Sequence, residues 1–323
     1  MKKNKNSYRL RIGLTILGFA LAEITSFVLP TIQEDVDDRV YRAVLAGLII
    51  FFVASGIRAG FTPMRRARYE KRAPFRFVLG LILAAWDILS AKTGIFPLPF
   101  FPSPSKILSV FLTDRDFMIQ NLFFSLKLYF SGFLSGVLMG VGTGILIGWF
   151  PKVNYWVMPV MRITGVIPAV AWIPVALTIF RSGFVTGSFL IAMCAWFPIG
   201  FQTASGMQRT EKIYFEAAKT IGGGSLYQLF NVALPNAMPA VFTGISTANG
   251  LAFTTLVISE MLGAKGGLGY YINWAKAWAE YYKVYAAIIV MAVMFSLILK
   301  GINLIKDRVL IWQKGLVNAI DES

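Results

Sequence analysis

The sequence contains no histidine and a single cysteine, Cys194. The first absence excludes histidine proton relays, histidine metal sites and Ser-His-Asp catalysis. The lone thiol cannot close an intrachain disulfide, and it lies within an apolar run, where a core or lipid-facing place is expected. Charge is also scarce: 15% of the 323 residues are charged, against about 25% in soluble domains. Acids are the scarcer sign, 16 against 31 Lys and Arg. No GxxxxGK[ST] loop is present, so ATP is not expected to be held in the usual phosphate cradle. There is no GxSxG, no paired-carboxylate constellation and no cysteine cluster, so no catalytic or metal residue is assigned and the chain is not expected to be an enzyme.

Apolar residues are abundant instead: 56% of the chain, with mean hydropathy +0.64. They come in runs of about 20, the length that crosses a bilayer as a helix. Eight such runs are read at about 10–30, 41–61, 75–93, 121–150, 155–180, 184–204, 237–259 and 284–305. An all-α, multi-pass membrane protein follows. The first run resembles a signal peptide, but it is long, ends at "FVLP" and lacks a small-residue cleavage site, so it is read as retained.

The net charge of +15 would suggest nucleic acid in a soluble protein. Here the bases sit in connectors between apolar runs, as membrane orientation requires, and no nucleic-acid partner is expected. Lys2, Lys3, Lys5, Arg9 and Arg11 form one cluster; Arg65, Arg66, Arg68, Lys71, Arg72 and Arg76 form another; Lys306, Arg308 and Lys314 follow the last run. These are expected in the cytoplasm, with both termini. The acidic connector "QEDVDDR" is expected outside, and residues 205–236 inside.

The fourth run repeats glycine every four residues: Gly132, Gly136, Gly140, Gly144 and Gly148. Residues four apart share a helix face, so these make a flat ridge for close packing, either within the chain or at a moving or subunit interface. The fifth run carries Pro159, Pro168 and Pro174 with Arg162. Each proline removes a backbone donor, and together they predict a broken helix beside a cavity. Charges in or near runs are functional suspects: Glu23, Asp87, Lys92, Lys127, Arg162 and Glu260. Asp87 and Lys92 could pair within one helix. Glu260 fits either a structural ion pair or a place in a pathway.

One semi-polar stretch stands apart, "EAAKTIGGGSLYQLFNVALPNAMPA" from Glu216 to Ala240. A helix over "TEKIYFEAAKTI" has a partly apolar face of Ile213, Phe215, Ala217, Ala218 and Ile221. Gly222, Gly223 and Gly224 are expected to stop it. A second short helix should begin at Ser225 as N-cap and end at Pro235. The result is a helix–turn–helix with an apolar face open to a partner.

The spacing of Glu216-Ala217-Ala218, Gly222, Val232 and Leu234-Pro235 resembles the EAA signature of permease subunits of binding-protein-dependent ABC importers. Val232 stands where isoleucine is usual. "FPSPSKIL", "IPAVAWIPVALTIF" and "GGLGYYI" follow in the order of the nitrate/sulfonate/taurine-type members. The resemblance covers about residues 75–310 and implies a six-helix permease core. Residues 1–74 would then be a two-helix extension, expected to pack peripherally, and 311–323 a cytoplasmic tail. It further implies that the 205–236 element couples to a separate ABC ATPase, two copies per transporter, which binds ATP and Mg. Glu216 would face that ATPase, Ala217 and Ala218 would allow close approach, and Gly222 would form the turn. An extracytoplasmic binding protein would deliver substrate, and a homodimer of permeases in the cytoplasmic membrane, surrounded by lipid, would form the path. "FRSG" at 180–183 departs from the family's usual Phe-Gly-x-Gly-like end. Two other readings are an ion-driven secondary transporter, which would show central charges and inverted halves, and a membrane scaffold without a path.

Overall fold

The computed structural model describes residues 2–33 and 37–312, with side chains from Tyr8 onward. Residues 34–36 of the acidic connector and Lys314 of the tail lie outside the described residues. Among those described there is no strand. Thirteen helices follow in order: α1 (Lys2–Val28), α2 (Asp38–Gly60), α3 (Pro63–Asp87), α4 (Pro104–Thr113), α5 (Arg115–Trp149), α6 (Pro151–Val166), α7 (Ile173–Phe180), α8 (Gly183–Gln208), α9 (Lys212–Thr220), α10 (Ser225–Gln228), α11 (Leu234–Leu262), α12 (Leu268–Ala277) and α13 (Tyr281–Val309).

Seven helical stretches are long and apolar enough to cross a bilayer, and α6 with α7 makes an eighth if the pair counts as one span. The predicted runs therefore match helices one for one. The fifth is the exception in shape. Its two halves are bent by 92° at the break around Ile167 and Pro168. Ile167 has extended backbone, and the residue before a proline is pushed out of the helical region.

The chain divides into two compact units. One comprises residues 1–116 and 274–288. In it α1 crosses α3 at Gly18 and Gly80, where a Cβ on Gly80 would fall 2.4 Å from the Gly18 carbonyl carbon. Such a contact is open only to glycine and lets two backbones pack without intervening side chains. Phe19, Ala22, Tyr41, Leu45 and Ala84 fill the core beside it. The Tyr41 hydroxyl donates to the Leu83 carbonyl at 3.1 Å. The first two helices are thus packed against α3. α3 continues through Pro74.

Lys92 does not pair with Asp87. A wide i→i+5 turn over Ile88–Lys92 ends α3, and it carries Lys92 toward the start of α2. There its Nζ lies 2.8 Å from Asp38 Oδ2 and donates to Thr31 Oγ1 at 2.7 Å. Ser105 donates to the other Asp38 oxygen at 2.7 Å. Asp87 is fully buried, and neither of its oxygens has a hydrogen-bond partner among the described residues.

The other unit comprises residues 117–273 and 289–323, and α8 is its hub. The glycines of α5 face α8 in register. A Cβ would meet Ile191 at Gly132, Ala192 and Ala195 at Gly136, Ile199 at Gly140, Thr203 at Gly144 and Met207 at Gly148, all at 2.5–2.9 Å. The knobs on α8 follow the same four-residue period. From a second side Met161 of α6 reaches Gly200, and from a third Gly206 and Gly244 bring α8 and α11 together. Cys194 on α8 is half-buried with a free thiol.

Candidate functional site

α9 contains nine residues and ends in a closure that follows from its sequence. Gly222 sits at φ +80°, in the left-handed region. Its N–H donates to the Lys219 carbonyl at 3.0 Å, and the Gly223 N–H donates to the Ala218 carbonyl at 2.8 Å. These two bonds satisfy carbonyls that the helix end leaves open, the Schellman pattern. A side chain at Gly222 would be strained by conformation. One at Gly223 is blocked by space: a Cβ would lie 2.7 Å from both the Ala218 oxygen and the Tyr227 ring. At Gly224 a Cβ would meet nothing within 4 Å. Gly224 is the N-cap of α10, and Ser225 is already its first residue, with no side-chain capping bond. The expected serine cap is therefore displaced by one residue.

Pro235 does not end the second helix. A wide turn over Leu229–Ala233 joins α10 to α11, and the Leu234 N–H donates to the Leu229 carbonyl. That turn shifts the hydrogen-bond register just ahead of Pro235, which occupies the first turn of α11, where a missing N–H leaves no bond unmade. The run from Ser225 to Leu262 is continuous and apolar enough to cross a membrane. The short second helix is its lowest turn.

The element is anchored from one side. Phe215, half-buried, packs with Met207, Leu229, Ala233 and Ala237 together with Ile145 and Trp149. The Phe215 and Trp149 ring centroids are 6.1 Å apart. Ala218 is buried, while Glu216, Ala217 and Gly222 are exposed. Val232, Leu234 and Pro235 are half-buried. Helical spacing puts exposed Ile213, Tyr214, Ala217 and Ile221 on one face of α9, edged by exposed Lys212, Glu216 and Lys219, and Leu226, Tyr227 and Phe230 of the next turns are exposed as well. Burying an aliphatic or phenylalanine side chain yields on the order of 1.5–3 kcal/mol. This face can therefore hold a partner through apolar contact edged by charge, with Ala217 at its centre leaving room for another backbone.

Glu260 lies at the far end of α11 and is buried. It makes no ion pair among the described residues. Its Oε2 accepts the Gly269 N–H at 2.8 Å. Asn121 and Ser125 of α5 accept the two preceding N–H groups of the same loop, from Gly267 at 2.9 Å and Leu268 at 2.8 Å. Gly267, at φ +108°, lies so close to the Glu260 carboxylate that a Cβ would fall 2.3 Å from it. The "GGLG" loop is thus clamped by three side chains. The sequence signal was the proximity of an acid to a glycine-rich loop; that Asn121 and Ser125 share the clamp had no such signal.

Arg162, Pro168 and Pro174 are exposed in and around the broken pair. Arg162 sits on α6 near the break, among exposed Val160, Ile163 and Val166, with no ion pair among the described residues. At "FRSG", Arg181 closes α7 in the left-handed region at φ +51°. Gly183 presses on the Gly263 carbonyl, with room for no side chain.

Residues 132–310 match the family model described as "Binding-protein-dependent transport system inner membrane component". The chain is 31% identical over 198 residues to a protein of Methanocaldococcus jannaschii assigned as an ABC transporter permease, covering 61% of this chain and 74% of that one. It is 27% identical over 241 residues to the taurine transport system permease protein TauC of Escherichia coli, covering 72% and 87%. It is 27% identical over 283 residues to the nitrate import permease protein NrtB of Synechocystis, covering 80% and 96%. Among solved structures, inward-facing MetNI, a methionine ABC transporter, aligns with TM-score 0.50 at 20% identity, over 60% of this chain and 96% of that one. This last likeness concerns the fold alone.

Proposed function

The chain belongs to the family of binding-protein-dependent transport system inner membrane components, the permease subunits of ABC importers, and on that premise we propose how its parts are used. The α9–α10 element is the coupling surface for a separate ATPase. The observation that carries this is the exposure of Ile213, Tyr214, Ile221, Leu226, Tyr227 and Phe230 on an element anchored through Phe215. Motion of the partner would pass through Phe215 and the Leu229–Ala233 turn into the base of α11. ATP and Mg belong to that partner, because the chain carries no GxxxxGK[ST] sequence. One coupling element per chain favours two copies of the chain with two ATPases. The lysine and arginine clusters favour both termini and the coupling element on the cytoplasmic side. An extracytoplasmic binding protein delivers the substrate.

The path runs along the exposed face of α6 and α7. An unpaired arginine within a span is costly against lipid and belongs beside water or a partner chain. Arg162 meets that condition if a second copy of the chain covers this face and encloses an aqueous route. Taurine and nitrate, the compounds for which two of the relatives are named, carry anionic groups, and Arg162 suits a small anion here too.

The test is ATP hydrolysis and uptake by the chain reconstituted with its ATPase and binding protein. Glu216→Lys and Gly222→Asp should lower both together. Normal ATPase association and normal uptake in both variants would overturn the coupling role.

A further inference from the structure

The basic cluster after α2 does more than mark a side of the membrane. Arg65, Arg68, Arg72 and Arg76 are spaced i, i+3, i+7 and i+11 along α3, which puts them on one face. That face forms one wall of a cavity of about 620 Å³, which Arg58 of α2 joins. The opposite wall is apolar and includes Phe51, Ala54 and Ile57 of α2. Both Phe51 and Ile57 are exposed.

Among the described residues no carboxylate lines the cavity to balance these five guanidinium groups. Glu70 is the only acid between residues 39 and 86. It is held 3.1 Å from Arg66, which does not line the cavity. Arg76 is set in place by two rings: its guanidinium lies 4.2 Å from the Tyr69 centroid and 5.0 Å from that of Phe52. Tyr69 is itself buried and bonded through its hydroxyl to the Phe52 carbonyl at 3.0 Å. With Arg76 so held, its Nη1 is shielded from solvent and has no hydrogen-bond partner among the described residues. A buried donor left unmade is costly, and a positioned guanidinium fork matches phosphate oxygens.

We propose that this cavity binds an anionic phospholipid, with phosphate on the arginine wall and its apolar part against Phe51, Ala54 and Ile57. A soluble phosphate would use the arginines and leave the apolar wall unused. The eleven helical steps from Arg65 to Arg76 rise about 16 Å, more than a single phosphate group can touch. The row therefore favours a head group with two phosphodiesters. Basic pockets between membrane helices are suited to such head groups.

The experiment uses the purified full chain in detergent. Native mass spectrometry would follow titration with diphosphatidylglycerol, phosphatidylglycerol, phosphatidylcholine and inorganic phosphate in turn. We expect one diphosphatidylglycerol to bind saturably, more tightly than phosphatidylglycerol, with phosphatidylcholine and inorganic phosphate at least tenfold weaker. The triple variant Arg68→Gln, Arg72→Gln, Arg76→Gln should lose at least tenfold in affinity. The triple variant Lys300→Gln, Lys306→Gln, Arg308→Gln, which removes the same charge elsewhere, should lose none. Arg72→Gln alone removes an exposed side chain and serves if the first triple variant does not fold; it should lose severalfold. Equal loss in the two triple variants would reduce the effect to net charge and overturn the site. Equal binding of phosphatidylcholine would overturn the role of the arginines, and equal binding of inorganic phosphate would overturn the lipid as ligand.

Discussion

The amide of Gly223 donates to the carbonyl of Ala218 at 2.8 Å, and the same glycine leaves no room for a side chain between that carbonyl and Tyr227. This contact closes the C-terminus of α9 at the turn that leads into α10. It orders three adjacent glycines by need. Gly223→Ala should be the most damaging, since its Cβ meets backbone. Gly222→Ala should cost about 1–2 kcal/mol locally, from the left-handed conformation alone. Gly224→Ala should be nearly silent. Coupled ATP hydrolysis of the three reconstituted variants measures the order; equal losses would show that the closure is not what matters.

The glycine ridge offers an internal control. Gly136 faces Ala192 and Ala195 on α8, whereas Gly142 on the same helix meets nothing within 4 Å. Gly136→Leu should prevent α5 from seating on α8 and lower the thermal unfolding midpoint in detergent sharply, because overpacking one contact typically costs about 1–3 kcal/mol or more. Gly142→Ala should leave it unchanged or raise it slightly, since alanine is favoured over glycine within a helix by about 1 kcal/mol.

The Lys92–Asp38 pair is buried, with Lys92 side-chain exposure of 2%. Lys92→Met strands the Asp38 carboxylate and should destabilise by about 3–5 kcal/mol. The double variant Lys92→Met, Asp38→Asn should recover a large part of that loss. A thermal-melt double-mutant cycle reads the coupling directly; additive effects would show that the pair is dispensable.

Arg181 holds a left-handed conformation that glycine adopts without strain. Arg181→Gly should therefore keep the fold and raise stability by up to about 1 kcal/mol, whereas Gly183→Ala, pressed on the Gly263 carbonyl, should lower it. Melting of the two variants side by side checks the sign of each.

Much of this was legible because the signals were periodic. Runs of twenty apolar residues announced the spans, the four-residue glycine repeat announced a face, and three prolines announced the break at Pro168. What escaped was set by partners distant in sequence. The sequence offered Lys92 only Asp87 as a partner, and the wide turn at the end of α3 carries it to Asp38 instead. Pro235 looked like a stop because a proline breaks a regular helix; the Leu229–Ala233 turn removes the conflict. Asn121 and Ser125 carry no motif, yet they hold the loop that Glu260 also holds. The arginines of α3 were visible as charge, and their i, i+3, i+7, i+11 spacing could have been read as one face, but the apolar wall opposite them belongs to α2.

The central claim is that the exposed side of α9 meets an ATPase. Ala217 tests it cleanly: it is exposed and at the centre of that face, so a large charged side chain there should leave the fold intact. The measurement is the amount of ATPase that co-purifies with tagged Ala217→Arg chain relative to the unaltered chain, at equal melting temperature. A loss of at least tenfold is predicted. Undiminished ATPase on a normally folded Ala217→Arg chain would contradict the account.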